Sequence, residues 1–383
     1  MKRTGKNTGK KILVCDLKRE HGTIRGEVMR SVKRVLDSGW YILGKELEAF
    51  ENEFAEYIGS SNAVGVASGT EGLQLALMAL AVGRGDEVIT AVNTAIPTAM
   101  AIVSAGATPK FVDIDEDTFN LDIRELERAI TGKTKAIVPV HLYGNPCDIG
   151  GVMKIARKHG LAVIEDACQA HGASHNSRKV GSFGDLGAFS FYPTKNLGCY
   201  GDGGMVVTNN GKLAAKLRLL RNYGQATRYS CDIEGINSRL DEIQAAILRG
   251  KLRRLDRFNK RRSAIARLYG ECLKDIGALE LPSYDRNSKH VFHLYVIRCE
   301  KRDMLRDFLL KNGIETQIHY PVPLHLQGAF KGLGYRAGDF PRAEALSRKI
   351  LTLPVFPALT DGEVMRICNC VRRFYNGRGR RLS

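Results

Sequence analysis

The stretch AIVPVHLYGNPCDIGGVMKIARKHGLAVIED, Ala136 to Asp166, decides the fold. Two short apolar runs, Ala136 to Val140 and Ala162 to Ile164, flank the segment Ile149 to His159. In that segment Ile149, Val152, Met153 and Ala156 recur at helical spacing. The reading is strand, helix, strand. Working outward, the same alternation extends from Asn62 to about Thr208. Ala63 to Ala67, Glu87 to Ala91, Pro109 to Val112, Ala188 to Phe191 and Met205 to Thr208 read as further buried strands. Thr70 to Ala81, Thr98 to Ala105 and Ile123 to Ile130 read as amphipathic helices. Such alternation implies an α/β fold, a mostly parallel sheet covered by helices on both faces. In these sheets ligands bind beyond the carboxyl ends of the strands.

After Ser238 the pattern changes. Leu240, Ile243, Ile247, Leu252 and Leu255 mark one face of a long helix reaching about Ile276. Beyond it the sequence predicts a strand at His293 to Arg298, a helix near Asp303 to Asn312, a Pro- and Gly-rich loop from His319 to Asp339, and a closing helix near Asp361 to Tyr375. The expected division is a basic tail (1–13), a large domain (14–248), a smaller C-terminal α+β domain (249–376) that begins within the long helix, and a second basic tail (377–383). No internal repeat interrupts this plan.

The chain has 383 residues, with 58 Lys or Arg against 41 Asp or Glu, a formal charge of +17. Its placement removes the obvious nucleic-acid reading. The two ends supply ten of these charges, and Arg249 to Arg262 supplies seven more net, so the remainder is neutral. The expectation is two solvated ends and one solvated helix face, since no nucleic-acid signature accompanies the charge. Nine dispersed cysteines without metal spacing read as reduced thiols of a cytoplasmic protein. The longest charge-free run, Val88 to Pro109, is broken by Asn93, Pro97 and Gly106 and is a poor membrane span.

Three features at strand ends carry chemistry. Asp166 closes an apolar strand, where a carboxylate needs a cation or hydrogen bonds. Lys195 follows another apolar strand and precedes the Gly-rich segment Gly198 to Gly204; a lysine there can form an imine with a carbonyl. Ser68-Gly69-Thr70 joins a strand to a helix and leaves N–H groups free for an anion. Ser190, on the strand leading to Lys195, offers another hydroxyl. Each feature has a plainer reading, a salt bridge for Asp166 or Lys195 and an ordinary helix cap for Ser68. Taken together, amine, acid and anion cradle match the aldehyde, pyridine nitrogen and phosphate of pyridoxal phosphate.

A resemblance adds to this reading. Ser38-Gly-Trp-Tyr-Ile-Leu-Gly44, Ala67-Ser-Gly-Thr-Glu-Gly72, Pro139-Val-His-Leu-Tyr-Gly144, Glu165-Asp-Ala-Cys-Gln-Ala-His-Gly172, Phe189-Ser-Phe-Tyr-Pro-Thr-Lys-Asn-Leu-Gly198, Asn237-Ser-Arg-Leu-Asp-Glu-Ile-Gln-Ala-Ala246 and His319-Tyr-Pro-Val-Pro-Leu-His-Leu-Gln327 occur in order. This set resembles the DegT/DnrJ/EryC1/StrS sugar aminotransferases over about residues 14 to 375. The resemblance implies a fold-type-I pyridoxal-phosphate enzyme, a homodimer with shared active sites and no metal. It implies that Lys195 bonds to the cofactor and shuttles protons, that Asp166 pairs with the pyridine nitrogen, and that Gln169 lies by the phenolic oxygen. Gly69, Thr70 and Ser190 then hold the phosphate, joined by Asn237 of the partner subunit. His325, Tyr320, Arg228 and Tyr229 are expected on the sugar side.

Ala95 stands where many members of that family carry an aromatic residue over the cofactor ring. Lys195, by contrast, is retained where deoxysugar dehydratase relatives carry histidine, which argues for complete transamination. The implied reaction moves the amino group of L-glutamate to a keto group of a nucleotide-linked deoxysugar. The Tyr192-Pro-Thr-Lys-Asn196 and Gly201-Asp-Gly-Gly204 segments are closer to members acting on dTDP-linked 3-keto-6-deoxy sugars than to the 4-keto branch. Alternatives are a 4-keto sugar, a keto-cyclitol, a Schiff-base lyase chemistry without cofactor, or a non-catalytic regulator on the same fold.

Overall fold

The structure, a computed structural model, describes residues 11–227 and 229–378. Seven strands form the main sheet: β1 (Asn62–Val66), β2 (Glu87–Ala91), β3 (Thr108–Val112), β4 (Thr134–Val138), β5 (Ala162–Asp166), β6 (Leu186–Ser190) and β7 (Gly204–Thr208). Their spatial order is β1-β7-β6-β5-β4-β2-β3. Only β7 runs against its neighbours, β1 and β6; every other pairing in the sheet is parallel. Strand alternation distributes the side chains between two cores. Ala188 and Val206 join Leu73, Leu77, Ile102 and Leu217 on one face, while Phe189, Met205 and Val207 join Phe50, Phe54 and Leu248 on the other.

Nine helices matter for this layering. They are α1 (Leu17–Ser38), α2 (Lys45–Ile58), α3 (Gly69–Ala79), α4 (Ile96–Ser104), α5 (Ile123–Ala129), α6 (Ile149–His159), α7 (Gly211–Leu220), α8 (Glu242–Leu252) and α9 (Leu255–Leu273). The sequence reading places α3 to α6 within two residues but contains neither α1 nor α2. It also draws one long helix where the chain bends at Arg253–Arg254 and makes two, so the expected domain cut at 248/249 falls inside α8. Antiparallel strands Leu279–Glu280, Tyr295–Cys299 and Ile350–Leu353 build a smaller sheet, with helices Arg302–Lys311 and Asp361–Arg373 packed beside it. The N-terminal segment is not wholly a tail: Ile12 is 2% exposed, pairs with Ile314 and lies in this smaller core. Residues 1–10 and 379–383, which carry much of the expected tail charge, lie outside the described residues.

The basic run Arg249 to Arg262 corrects the solvated-face expectation. Arg249 bridges Glu46 and Glu53 of α2, and Arg253 and Arg254 both meet Glu27 of α1. Lys251 donates to the Gly198 carbonyl, and Arg261 meets Asp361. Arg262, 2% exposed, donates to the carbonyls of Val355 at 2.7 Å and of Phe292 and His293 at 3.3 Å. A guanidinium enters a core only where such acceptors replace water. The charge therefore ties α1, α2 and the smaller sheet to the α8–α9 bend. Arg257 and Lys260 are among the residues of the run that stay exposed.

Glu242 is a second internal tie. Only 3% exposed, its carboxylate accepts the N–H groups of Gly44 at 2.9 Å, Glu46 at 2.8 Å and Leu47 at 3.0 Å, capping α2 from α8. Replacing it leaves one buried and two partly buried donors without an acceptor and removes an anion from a helix N-terminus. Glu242→Ala is expected to cost about 3 kcal/mol of stability, read as a lowered urea midpoint at unchanged slope. A loss below about 0.5 kcal/mol, the range of ordinary surface substitutions, would show that the cap is dispensable.

Candidate active site

The carboxyl ends of β1, β2, β4, β5 and β6 open onto one cavity of about 330 Å³. Gly69, Thr70, Asp166, Gln169, Ser190, Lys195 and Tyr320 all line it. The cavity is thus where an open parallel sheet puts a ligand.

Asp166 is the last residue of β5 and is 5% exposed. Its Oδ2 accepts from the Thr98 hydroxyl at 2.8 Å and its Oδ1 from the Cys168 N–H at 3.1 Å. Thr98 in turn lies 3.0 Å from the Thr94 hydroxyl. These contacts fix the carboxylate without neutralising it. Glu165, one residue earlier, points to the opposite face by strand alternation. There it accepts the N–H groups of Gly181, Phe183 and Gly184 and faces His141 Nε2 at 3.0 Å. Burial opposes a charge on His141, but Cys147 and Glu165 outweigh it and raise its pKa to about 10. The Glu-Asp pair therefore splits into a structural clamp and a cavity acid.

Lys195 sits in the turn after β6, its N–H bonded to the Tyr192 carbonyl at 2.8 Å. Burial lowers the pKa of its amine, with Cys168 and Asp166 pulling the other way. A lysine so placed is a better nucleophile near neutral pH than one in water. Gln169, 4% exposed, accepts from the Tyr143 N–H at 2.8 Å, which turns its amide nitrogen toward the Tyr320 hydroxyl at 3.1 Å. Burial pushes the Tyr320 hydroxyl up to about 12, so it stays protonated.

The β1–α3 turn is built for close approach. Ser68 caps α3 by accepting from the Glu71 N–H at 3.1 Å. A Cβ on Gly69 would lie 2.7 Å from Ser190 Cβ and 2.8 Å from Cys168 Sγ, and one on Gly204 would lie 2.4 Å from the Ser68 carbonyl. Glycine is needed at both for the helix N-terminus to face the cavity with Thr70 and Ser190. The donor set fits pyridoxal phosphate: a helix N-terminus and hydroxyls suit a phosphate, a buried carboxylate a protonated ring nitrogen, and a depressed lysine an aldehyde.

Not every expected residue is here. His325 is 2% exposed, lies 3.0 Å from Glu344 and packs its ring edge-on against Phe340 at 4.8 Å between centroids. The expectation that it faces a sugar is corrected: Leu324 and Phe340 belong to the buried core around it, so its polar ring serves the loop. Asn237 is exposed and outside the cavity of its own chain. Tyr229, 85% exposed, sits on the turn between Gln225–Thr227 and Ser230–Cys231, also away from this cavity. Arg228 lies outside the described residues. Sequence reasoning missed Thr98, Cys168, Tyr192 and Asp202 as cavity residues. Thr98 had a signal, since it opens the expected helix Thr98 to Ala105 three residues after Ala95, at a strand-end turn. At that place the wall is formed by Thr94, Ala95, Ile96 and Pro97.

Comparison with known proteins agrees with this geometry. The model of the DegT/DnrJ/EryC1/StrS aminotransferase family matches residues 23–372. The chain is 48% identical over 359 residues to dTDP-3-amino-3,4,6-trideoxy-alpha-D-glucose transaminase of Streptomyces venezuelae, covering 94% of this chain and 95% of that one. It is 46% identical to UDP-N-acetyl-3-dehydro-alpha-D-glucosamine 3-aminotransferase of Acidithiobacillus ferrooxidans, covering 96% and 98%. Among solved structures it is similar to S. venezuelae DesV in complex with a ketimine intermediate. The TM-score is 0.95 at 46% identity, covering 98% of this chain and 100% of that one.

Proposed function

The chain belongs to the DegT/DnrJ/EryC1/StrS aminotransferase family, a pyridoxal-phosphate-dependent fold-type-I family, and we propose that its amino acceptor is a dTDP-linked 3-keto-6-deoxy sugar and its donor L-glutamate. The enzyme is a sugar aminotransferase. The observation that carries the reading is one cavity holding Asp166, Lys195 and the Gly69 cradle, in a chain 48% identical to a 3-amino-sugar transaminase.

Gly69, Thr70 and Ser190 would hold the phosphate, with Asn237 of the partner subunit completing the cradle. Asp166 would hold the ring nitrogen protonated, and Gln169 would orient the phenolic oxygen. Pyridoxal phosphate, when bound, supplies an electron-withdrawing ring that makes the neighbouring carbon acidic. Lys195 Nζ is the amine that would hold the cofactor's aldehyde carbon. In turnover it holds and moves the proton that the donor's α-carbon gives up and the sugar's keto carbon receives. Tyr320, protonated and fixed by Gln169, orients the sugar from the far wall.

The relatives with 3-amino names differ in nucleotide, dTDP in one and UDP in the other, so the ring position is the better-supported part. A homodimer is supported by the exposure of Trp40 (63%), Tyr41 (48%) and Ile42 (38%), an apolar run that a second chain would cover. A cytoplasmic location is supported by nine free cysteines; no helix among the described residues is long and apolar enough to cross a membrane. Mass spectrometry of reactions with glutamate and a panel of dTDP-linked 3-keto, dTDP-linked 4-keto, UDP-linked 3-keto and cyclitol substrates tests the assignment. Amination confined to the 4-keto sugar or the cyclitol would overturn it.

A further inference from the structure

Asn196 follows Lys195 directly and is 5% exposed. Its Nδ2 donates to the Val291 carbonyl at 3.0 Å and to Asn259 Oδ1 at 2.9 Å, and its Oδ1 lies 3.3 Å from His293 Nδ1. A backbone carbonyl only accepts, so the atom facing Val291 must be the amide nitrogen, and the amide oxygen is left for His293. An amide oxygen also only accepts. His293 Nδ1 must therefore carry the hydrogen, and the neutral ring keeps Nε2 as an acceptor. Asn259, 0% exposed on α9, completes the set by donating to the His171 carbonyl at 2.8 Å. Arg262 holds the carbonyls of Phe292 and His293 from the other side. Three separate segments, the Lys195 turn, α9 and residues 290–293, thus meet at one buried amide.

We propose that Asn196 and His293 are positioning residues for Lys195: Asn196 anchors the lysine-bearing turn to α9 and to residues 290–293 and locks His293 in its neutral Nδ1–H form. The charged and titratable groups around this point are Lys195, Arg262, His171 and His319 about His293, and Asp166 and Cys168 about Lys195. With Arg262 already cationic, a proton on His293 would add a second positive charge in a poorly solvated place beside the Lys195 amine. Burial holds the His293 pKa well below that of a free imidazole, in keeping with the neutral ring. Freed from Asn196, the neutral ring can turn and aim its N–H instead of its lone pair toward Lys195, which weakens the basicity of Lys195. Replacing the ring by a hydrocarbon removes a polar neighbour and acts in the same direction.

The test is a double-mutant cycle on the holoenzyme with Asn196→Ala, His293→Phe and both together. Each single variant is expected to lower kcat about tenfold with KM within about twofold. Each is also expected to move the pH midpoint of the cofactor's visible absorbance down by about half a unit or more. The double variant should do no worse than the more severe single one, because both act through one contact. Variants that lose thermal stability while kcat and midpoint stay unchanged would overturn the proposal and leave a packing amide. If a single variant fails to hold cofactor, Asn196→Ser replaces it. The rate at which Lys195 of the cofactor-free chain reacts with an amine reagent, followed by peptide mass spectrometry across pH, then gives the same answer. The proposal rests on Lys195 being the reactive amine. A Lys195→Ala enzyme that kept its visible band would sink that reading, whereas unchanged Asn196 and His293 variants beside a bleached Lys195→Ala enzyme sink only the positioning role.

Discussion

Lys195→Ala is expected to abolish the visible absorbance of bound cofactor and to reduce turnover by about 10⁴-fold or more, about 5.5 kcal/mol of barrier. The reason lies in what the cavity offers instead. Among its described lining residues Lys195 is the sole amine. The other titratable groups near it are poor substitutes: burial, helped by Asp166, holds the Cys168 thiol well above its ordinary pKa, and Tyr320 is raised to about 12. The fold should survive, because burial disfavours the Lys195 ammonium, and removing a group that opposes folding does not weaken the core. The measurement is an absorbance spectrum beside a melting curve. A variant that kept its visible band, or that bleached only by unfolding, would contradict the assignment of Lys195. The lowered amine pKa also has a sign: apo-protein labelling at Lys195 should set in at lower pH than at exposed lysines, and onset at the usual lysine range would contradict burial as the controlling factor.

Much of the sheet was readable because its strands are buried on both faces and appear as continuous apolar runs, bracketed by helices with clear periodicity. α1 and α2 escaped for a physical reason. α1 carries Arg19, Glu20, Glu27, Arg34 and other charges, and its buried stripe is reduced to Ile24, Val28, Ser31 and Val35. α2 hides a structural anion receptor in an ordinary sequence, since Glu242 lies nearly two hundred residues away. The basic run misled for the same reason: charge counting sees Arg249 to Arg262 but not Glu27, Glu46 and Glu53 across the packing gap. In the site, Asp166 and Lys195 announce themselves as charged residues at the mouths of apolar strands. Thr98 and Asn196 do not, because a threonine on a helix and an asparagine in a turn are locally unremarked and acquire meaning only through partners distant in sequence. His325 fails in the opposite sense. A motif placed it near a substrate, and the burial of its loop against Glu344 and Phe340 decides otherwise.

Asp166→Asn should have opposite consequences in the empty and loaded protein. The amide keeps the shape, can still accept from Thr98 or from the Cys168 N–H, and needs less solvation than a carboxylate at 5% exposure. The cofactor-free variant is therefore expected to melt at the same temperature as the parent or slightly higher. The loaded variant loses the charge that faces a protonated ring nitrogen, and breaking one partner of a buried pair costs about 3 to 5 kcal/mol. Turnover should fall by about 10²- to 10³-fold, and the stabilisation that saturating cofactor confers should shrink by an amount that tracks its weaker binding. Thermal melts with and without pyridoxal phosphate, run beside glutamate half-reactions, separate these two effects. A loss of stability already present without cofactor would assign Asp166 to the architecture of β5, like Glu165 beside it. A loss that appears only with cofactor assigns the two adjacent carboxylates to different tasks, one on each face of the strand.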